Sequence, residues 1–203
     1  MAVLKAWSGV PAEQGIALLV ALVMLVALLV IGASAARMAL HGEKAARAER
    51  DRHLAFQAAE DALTDAERDI VGGARGALFA AHNATPFEAG CGAGGDNLGL
   101  CARAAAGAAP VWQSFDLAGD GDGDGNAARA VPYGRYTGAR METGAGILPF
   151  RQPRYIVERI PYHPPGSEVG GEPQILYRVT AIGFGTRAGS ETVLQSAYRK
   201  ADE

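Results

Sequence analysis

The chain has 203 residues and a formal net charge of −3, so it lacks the basic character of nucleic-acid-binding proteins and we expect no nucleic-acid partner. Charged residues make up 20% and hydrophobic residues 49%, which excludes both a disordered chain and a protein with many membrane spans. The 27 glycines predict long loops, and two cysteines are too few for a disulfide-rich framework or a four-cysteine zinc site.

Residues 16–36 form an uncharged run, IALLVALVMLVALLVIGASAA. As a helix, this run would be about 31 Å long, which matches the hydrocarbon thickness of a bilayer. A helix that is apolar on every side does not suit a small soluble domain. The run therefore predicts a membrane-inserted helix.

Two kinds of N-terminal processing fit this run. A secretory signal peptide would be cut after Ala33-Ser34-Ala35, but the run exceeds the usual length of about 7–15 residues and only Lys5 supplies a basic side chain before it. A leader of residues 1–15 would instead be cut after Gly15, so that the mature chain begins at Ile16 and keeps the helix. The residues after the run decide between them.

The helical pattern continues beyond the apolar run. From Arg37 to Ile70 there is no proline and a single glycine, and strong helix formers dominate. Gly72-Gly73 then predicts the helix end, so we expect one helix of about 80 Å. Its second half carries an apolar stripe that would cover a sheet, formed by Phe56, Ala59, Leu63, Ala66 and Ile70.

The middle of the chain, residues 71–150, predicts glycine-rich loops. Cys91 and Cys101 enclose nine residues there, with little core to bury two independent thiols. We therefore predict a disulfide bond between them, which would contribute about 2–3 kcal/mol in the loop-closure account. His82 is the only histidine near them, so a zinc site is not supported.

The segment DGDGDGN has the alternating carboxylates and the sixth-position glycine of a calcium loop. Val131 stands where such a loop carries a bidentate Glu, so Glu142 or Asp116 would have to supply that oxygen. A solvated loop is the alternative. Calcium is the only cofactor that the sequence suggests, with candidate ligands Asp120, Asp122, Asp124 and Asn126.

Three segments of the C-terminal third predict strands: residues 155–160, 175–184 and 192–199. Pro161 is expected to end the first strand, and residues 185–190 join the other two as a hairpin. We predict an α+β fold, in which the long N-terminal helix packs on an antiparallel sheet of three to four strands within residues 154–200. None of the four histidines forms a catalytic pattern with a serine, a cysteine or paired carboxylates, so we expect no catalytic residues.

Two N-terminal phrases carry a family resemblance. Residues 15–22, GIALLVAL, resemble the start of a type IV pilin, and residues 50–63, RDRHLAFQAAEDAL, resemble the N-terminal region of the PilX minor pilins. The C-terminal phrases PRYIVE and VLQSAYR also look familial. The resemblance covers about residues 14–70 and 153–200, and not the middle. The sequence departs from the pilin pattern at Val20, where most pilins carry a Glu. Its leader is also less basic than is usual for the family.

The resemblance implies a prepilin leader over residues 1–15, cut between Gly15 and Ile16 by a prepilin peptidase, with N-methylation of the new terminus. It also implies a hydrophobic transmembrane and stalk helix over residues 16–52. A globular head would follow over residues 53–203, with the helix end at 53–70, loops at 71–150 and the sheet at 154–200.

The function that the resemblance implies is that of a minor pilin of a type IV pilus in a Gram-negative bacterium. It would lie in the inner membrane with its C-terminal part in the periplasm, although five basic residues after the apolar run oppose this orientation under the positive-inside rule. It would then enter the extracellular pilus, help to initiate assembly at or near the tip, and contact the major pilin, other minor pilins and a tip adhesin that serves cell adhesion. The alternatives are a type II secretion pseudopilin and a membrane-anchored calcium-binding surface module.

Overall fold

The computed structural model describes residues 14–119, 128–166 and 171–201, and the chain divides into two compact units, Met1–Ala48 and Glu49–Glu203. An α-helix, α1, runs from Gln14 to Gly72, as the lack of proline and the two terminal glycines predicted. Three short 3-10 helices follow it, at Gly76–Phe79, Gly95–Asn97 and Val111–Gln113. The strands are β1 (Leu100–Ala102), β2 (Val131–Pro132), β3 (Arg154–Tyr162), β4 (Gln174–Phe184) and β5 (Glu191–Tyr198).

The predicted α+β fold is confirmed, and the three predicted strands agree with β3, β4 and β5 to within two residues. These three strands pair antiparallel, with Val157 opposite Val179 and Val179 opposite Ser196. Two short strands were not predicted. Strand β1 pairs parallel with β3 and β2 pairs antiparallel with it, so the sheet has five strands and is mixed.

Pro161 does not end β3, as the sequence had suggested, but lies inside it. On one side it stands opposite Ile175 of β4. On the other side, β1 ends at Ala102, opposite Arg159, so no described strand lies beside Pro161 there. Strand β3 is an edge at this point, and a residue without an N–H is tolerated at an edge.

The face of α1 that covers the sheet is formed mainly by small side chains, with Ala55, Ala59, Ala62, Ala66 and Ile70 all fully buried. The predicted stripe is right for Ala59, Ala66 and Ile70, but Leu63 is only half-buried and Phe56 is 39% exposed.

Gly183 of β4 explains this preference for alanine. A methyl group at position 183 would overlap the carbonyl oxygen of Ala55 and the backbone nitrogen of Ala59. The helix backbone therefore lies directly on the strand, and a large side chain such as that of Phe56 does not fit between them.

The sheet carries an apolar core on each face. Tyr155, Val157, Tyr177 and Val179 point towards α1, where Phe79 and Phe87 join them. The alternate residues Ile156, Ile182 and Phe184 point the other way and pack on the disulfide, Val111 and Leu117. The middle segment, predicted as loops, therefore supplies the cover of the second face.

Candidate functional site

The first unit presents an apolar helical surface. The large apolar side chains between Ile16 and Ile31 are 50–71% exposed, and this part of α1 is long and apolar enough to cross a membrane. Apolar surface of this extent is costly in water, so it requires lipid or the helices of other chains around it. This segment is the first candidate functional site of the molecule.

The candidate cleavage site lies at the start of this helix, because Gly15 and Ile16 are the second and third residues of α1. Residues 1–13 of the predicted leader lie outside the described part of the chain. Val20 follows Ile16 by about one helical turn and is half exposed. The first acidic residue after Ile16 is Glu43, so the whole apolar segment offers no carboxylate.

In the second unit, Glu49–Glu203, which we call the head from here on, three aspartates of α1 hold loops against the helix. Asp51 accepts hydrogen bonds from the backbone N–H and the hydroxyl of Thr186, in the loop between β4 and β5. Asp65 accepts hydrogen bonds from the Gly134 N–H, at 2.7 Å, and from the Thr137 hydroxyl. These contacts fix two loops of the head to one helix.

The contact at Asp51 also affects the stability of the head. Partial burial raises the pKa of Asp51, but the hydrogen bonds from Thr186 and Ser190 and the positive charge of Arg187 together outweigh this effect, so the pKa lies below its usual value. A lowered pKa in the folded state stabilises the head at neutral pH. This contribution is lost as the pH falls from the usual Asp pKa through the lowered one.

The third aspartate, Asp69, forms a buried ion pair with Arg75. The Arg75 Nε and Nη2 atoms lie 2.9 and 2.7 Å from Asp69 Oδ2, and both residues are at most 3% exposed. The Tyr155 hydroxyl donates to the same oxygen at 2.9 Å. Burial and the Asp69 carboxylate raise the pKa of Tyr155, so this hydroxyl keeps its proton.

Arg75 also connects the helix end to the disulfide-closed loop. Its Nη1 atom donates to the carbonyl oxygens of Asp96 and Leu98, at 2.8 and 2.7 Å, and its guanidinium lies 3.8 Å from the centre of the Tyr136 ring. Sequence reasoning missed this network. The available signal was the placement of Asp65 and Asp69 on the helix face that also carries Ala62 and Ala66.

Cys91 and Cys101 are joined by a disulfide bond, as predicted, and both are buried in the second core. The loop between them is held by backbone hydrogen bonds from Gly92 to Leu100 and from Gly99 to Gly92. A side chain at Gly92 would overlap the carbonyl oxygen of Asn97, so the loop requires glycine there. The disulfide, these bonds and Arg75 together fix the conformation of the loop.

The candidate calcium ligands Asp120, Asp122, Asp124 and Asn126 lie outside the described residues, so calcium binding stays a prediction. Val131, at the twelfth position of the loop pattern, is buried in β2. Asp116 accepts a hydrogen bond from the Ala118 N–H, and Glu142 is exposed. Within the described ranges, no group of three or more His, Cys, Asp or Glu could hold a metal.

If calcium binds, it would offset the repulsion between the three aspartates. Calorimetry on the full chain in detergent should then show heat of binding for calcium, and Asp122→Ala should remove it. Glu142→Ala is the matched control, because it removes one exposed carboxylate outside the DGDGDGN segment. No heat and no change of thermal midpoint with calcium would favour a solvated loop.

Two family profiles match the chain. One is described as PilX N-terminal and matches residues 14–64, and the other, described as Type IV pilus assembly protein PilX C-term, matches residues 91–200. The second match alone spans more than half of the chain. The chain belongs to the PilX family. It is therefore a type IV pilus assembly protein, which is a structural component that interacts with other components of the pilus.

The family match extends further into the chain than the sequence resemblance did. The C-terminal match begins at Cys91, so it includes the disulfide loop and the segment that covers the second face of the sheet. The apolar part of α1, within the N-terminal match, suits this PilX protein to membrane anchoring. No curated protein and no solved structure matches the chain significantly.

Proposed function

We propose that this PilX protein is a minor pilin that helps to initiate pilus assembly and stays at or near the pilus tip. The proposal rests on the family membership and on one feature of the apolar segment, which is the absence of a carboxylate near the mature N-terminus, where Val20 stands. Its partners would be the major pilin, other minor pilins and a tip adhesin.

The route to the pilus would begin in the inner membrane of a Gram-negative bacterium, with the C-terminal part in the periplasm. A prepilin peptidase would cut between Gly15 and Ile16, and the new terminus would be N-methylated. The continuity of α1 supports this site. A cut after Ala35 would separate the exposed apolar segment from the rest of the helix and leave a head without its means of anchoring.

Val20 supports a position at the start of the filament. In pilins, the Glu near the mature N-terminus is expected to pair with the terminal amine of a neighbouring subunit inside the apolar bundle. A buried charge without a partner costs several kcal/mol, about 3–5 when one partner of a pair is removed. This chain offers the Ile16 amine but no carboxylate, so it can satisfy a later subunit's Glu. It has no carboxylate to pair with the terminal amine of an earlier subunit. A first subunit has no such neighbour, so this pattern suits the first position in the filament.

Labelling of the protein on isolated pili tests this position. We expect label at one end of each filament, with one or a few copies, and regular decoration along the shaft would contradict the tip position. Val20→Glu should restore the missing carboxylate and allow more copies along the shaft. Val20→Gln is the matched control, because glutamine is similar in size to glutamate but carries no charge. In this variant the label should stay at the end of the filament.

A further inference from the structure

A row of basic side chains follows the apolar segment of α1. Arg37, His41 and Lys44 are separated by four and three residues, so they lie on one face of the helix, and all three are exposed. Over the part of the chain that the structure describes, none of them forms an ion pair. Arg47 differs, because it is paired with Glu43.

The position of this row relative to the apolar run determines what can contact it. Residues 16–36 span about 31 Å as a helix, which fills the hydrocarbon layer of a bilayer. Arg37 therefore lies at the boundary of that layer, and Lys44 is about 10 Å further along the axis. Because side chains of a helix lean towards its N-terminus, the long side chains of this row lean back towards the membrane surface.

We propose that Arg37, His41 and Lys44 bind the phosphate groups of anionic phospholipids in the leaflet that adjoins the C-terminal end of the apolar run. The Arg37 guanidinium can hold two phosphate oxygens at once, and the Lys44 ammonium acts as a compact positive charge. The row continues directly from the membrane-inserted surface, and its charge complements that of the lipid. It would fix the depth of the helix and select the lipids around it until the subunit leaves the membrane.

This inference rests on the proposed membrane insertion but not on the tip position. It is tested with the full chain reconstituted into phosphatidylcholine vesicles that contain traces of spin-labelled phosphatidylglycerol or spin-labelled phosphatidylcholine. Electron spin resonance measures how strongly each labelled lipid associates with the protein. At low salt we expect a preference for phosphatidylglycerol of about fivefold or more, and this preference should weaken as salt is added.

The double variant Arg37→Gln/Lys44→Gln should bring the preference close to one. The matched control, Arg50→Gln/Arg52→Gln, loses the same charge on the same helix but further from the membrane, and it should keep most of the preference. An absent preference in the unmodified chain, or an equal loss in both double variants, would overturn the inference. A chain that is released from the vesicles at alkaline pH would contradict membrane insertion as well, whereas insertion without lipid preference contradicts the inference alone.

Discussion

Asp69→Ala is expected to lower the free energy of unfolding of the head by about 3–5 kcal/mol, because it leaves the Arg75 guanidinium buried without its partner. Asp69 is fully buried and accepts hydrogen bonds from both Arg75 and Tyr155. Removing it also leaves the Tyr155 hydroxyl without an acceptor in an apolar core, which adds to the loss. Few single substitutions in this protein should destabilise it more.

Denaturant unfolding of the full chain in detergent, followed by circular dichroism, measures this effect. Asp61→Ala is the matched control, since Asp61 lies two turns earlier on the same helix and is exposed, and it should change the unfolding free energy by less than about 0.5 kcal/mol. The double variant Asp69→Leu/Arg75→Met removes both charges and should recover much of the loss. If Asp69→Ala were as stable as Asp61→Ala, the buried ion pair would not hold the helix end.

Gly183→Ala is expected to destabilise the head by about 1–3 kcal/mol, because the added methyl group would overlap the helix backbone at Ala55 and Ala59. The sign of the effect is informative. Where space is available, Gly→Ala stabilises a protein by about 0.4–1 kcal/mol, because alanine reduces the conformational entropy of the unfolded chain. A loss of stability at position 183 would therefore come from the close approach of α1 to β4.

The same unfolding measurement tests this prediction, with Gly72→Ala as the matched control. Gly72 is the last residue of α1, and an added methyl group there meets no atom within 4 Å. We expect this control to be neutral or more stable than the unmodified chain. A Gly183→Ala variant that behaved like the control would show that α1 does not lie directly on β4.

The parts of the fold that the sequence predicted are those with long and regular patterns. The helix shows no break before Gly72, and the three main strands are rich in β-branched and aromatic residues. The strands β1 and β2 have only three and two residues, and they form by pairing with β3 more than 20 residues further along the chain. No local pattern marks such short segments, because the partner strand determines their conformation.

The helix face and the buried network were harder to predict for a different reason. The periodicity of large apolar side chains predicts Phe56 on the buried face and not Ala55, whereas the close approach of Gly183 selects for small side chains there. Arg75 reaches partners in the disulfide loop that are more than 20 residues away. A charged side chain is expected at the surface unless its partners are known, and those partners follow only from the fold.

The apolar part of α1, in contrast, could be predicted from the sequence as a helix. A single uncharged run that crosses a bilayer has to pair its own backbone N–H and C=O groups, and a helix does this. The apolar part of α1 is such a helix. The resemblance to pilins, and not the apolar run itself, pointed to Gly15, Ile16 and Val20, and the cut between Gly15 and Ile16 stays a prediction. The aspartates that fix the head to the helix were not identified, because each of them acts through a loop distant in sequence.

The N-terminal residue of the mature protein tests the central claim most directly, namely that this chain is a pilin that keeps its apolar helix. Mass spectrometry of the protein purified from the membrane should give a chain that begins at Ile16. Gly15→Val should block the cut, whereas Ala35→Val, which alters only the signal-peptidase pattern, should leave it unchanged. A mature chain that begins at Ala36 would show removal of the apolar helix and would contradict the account.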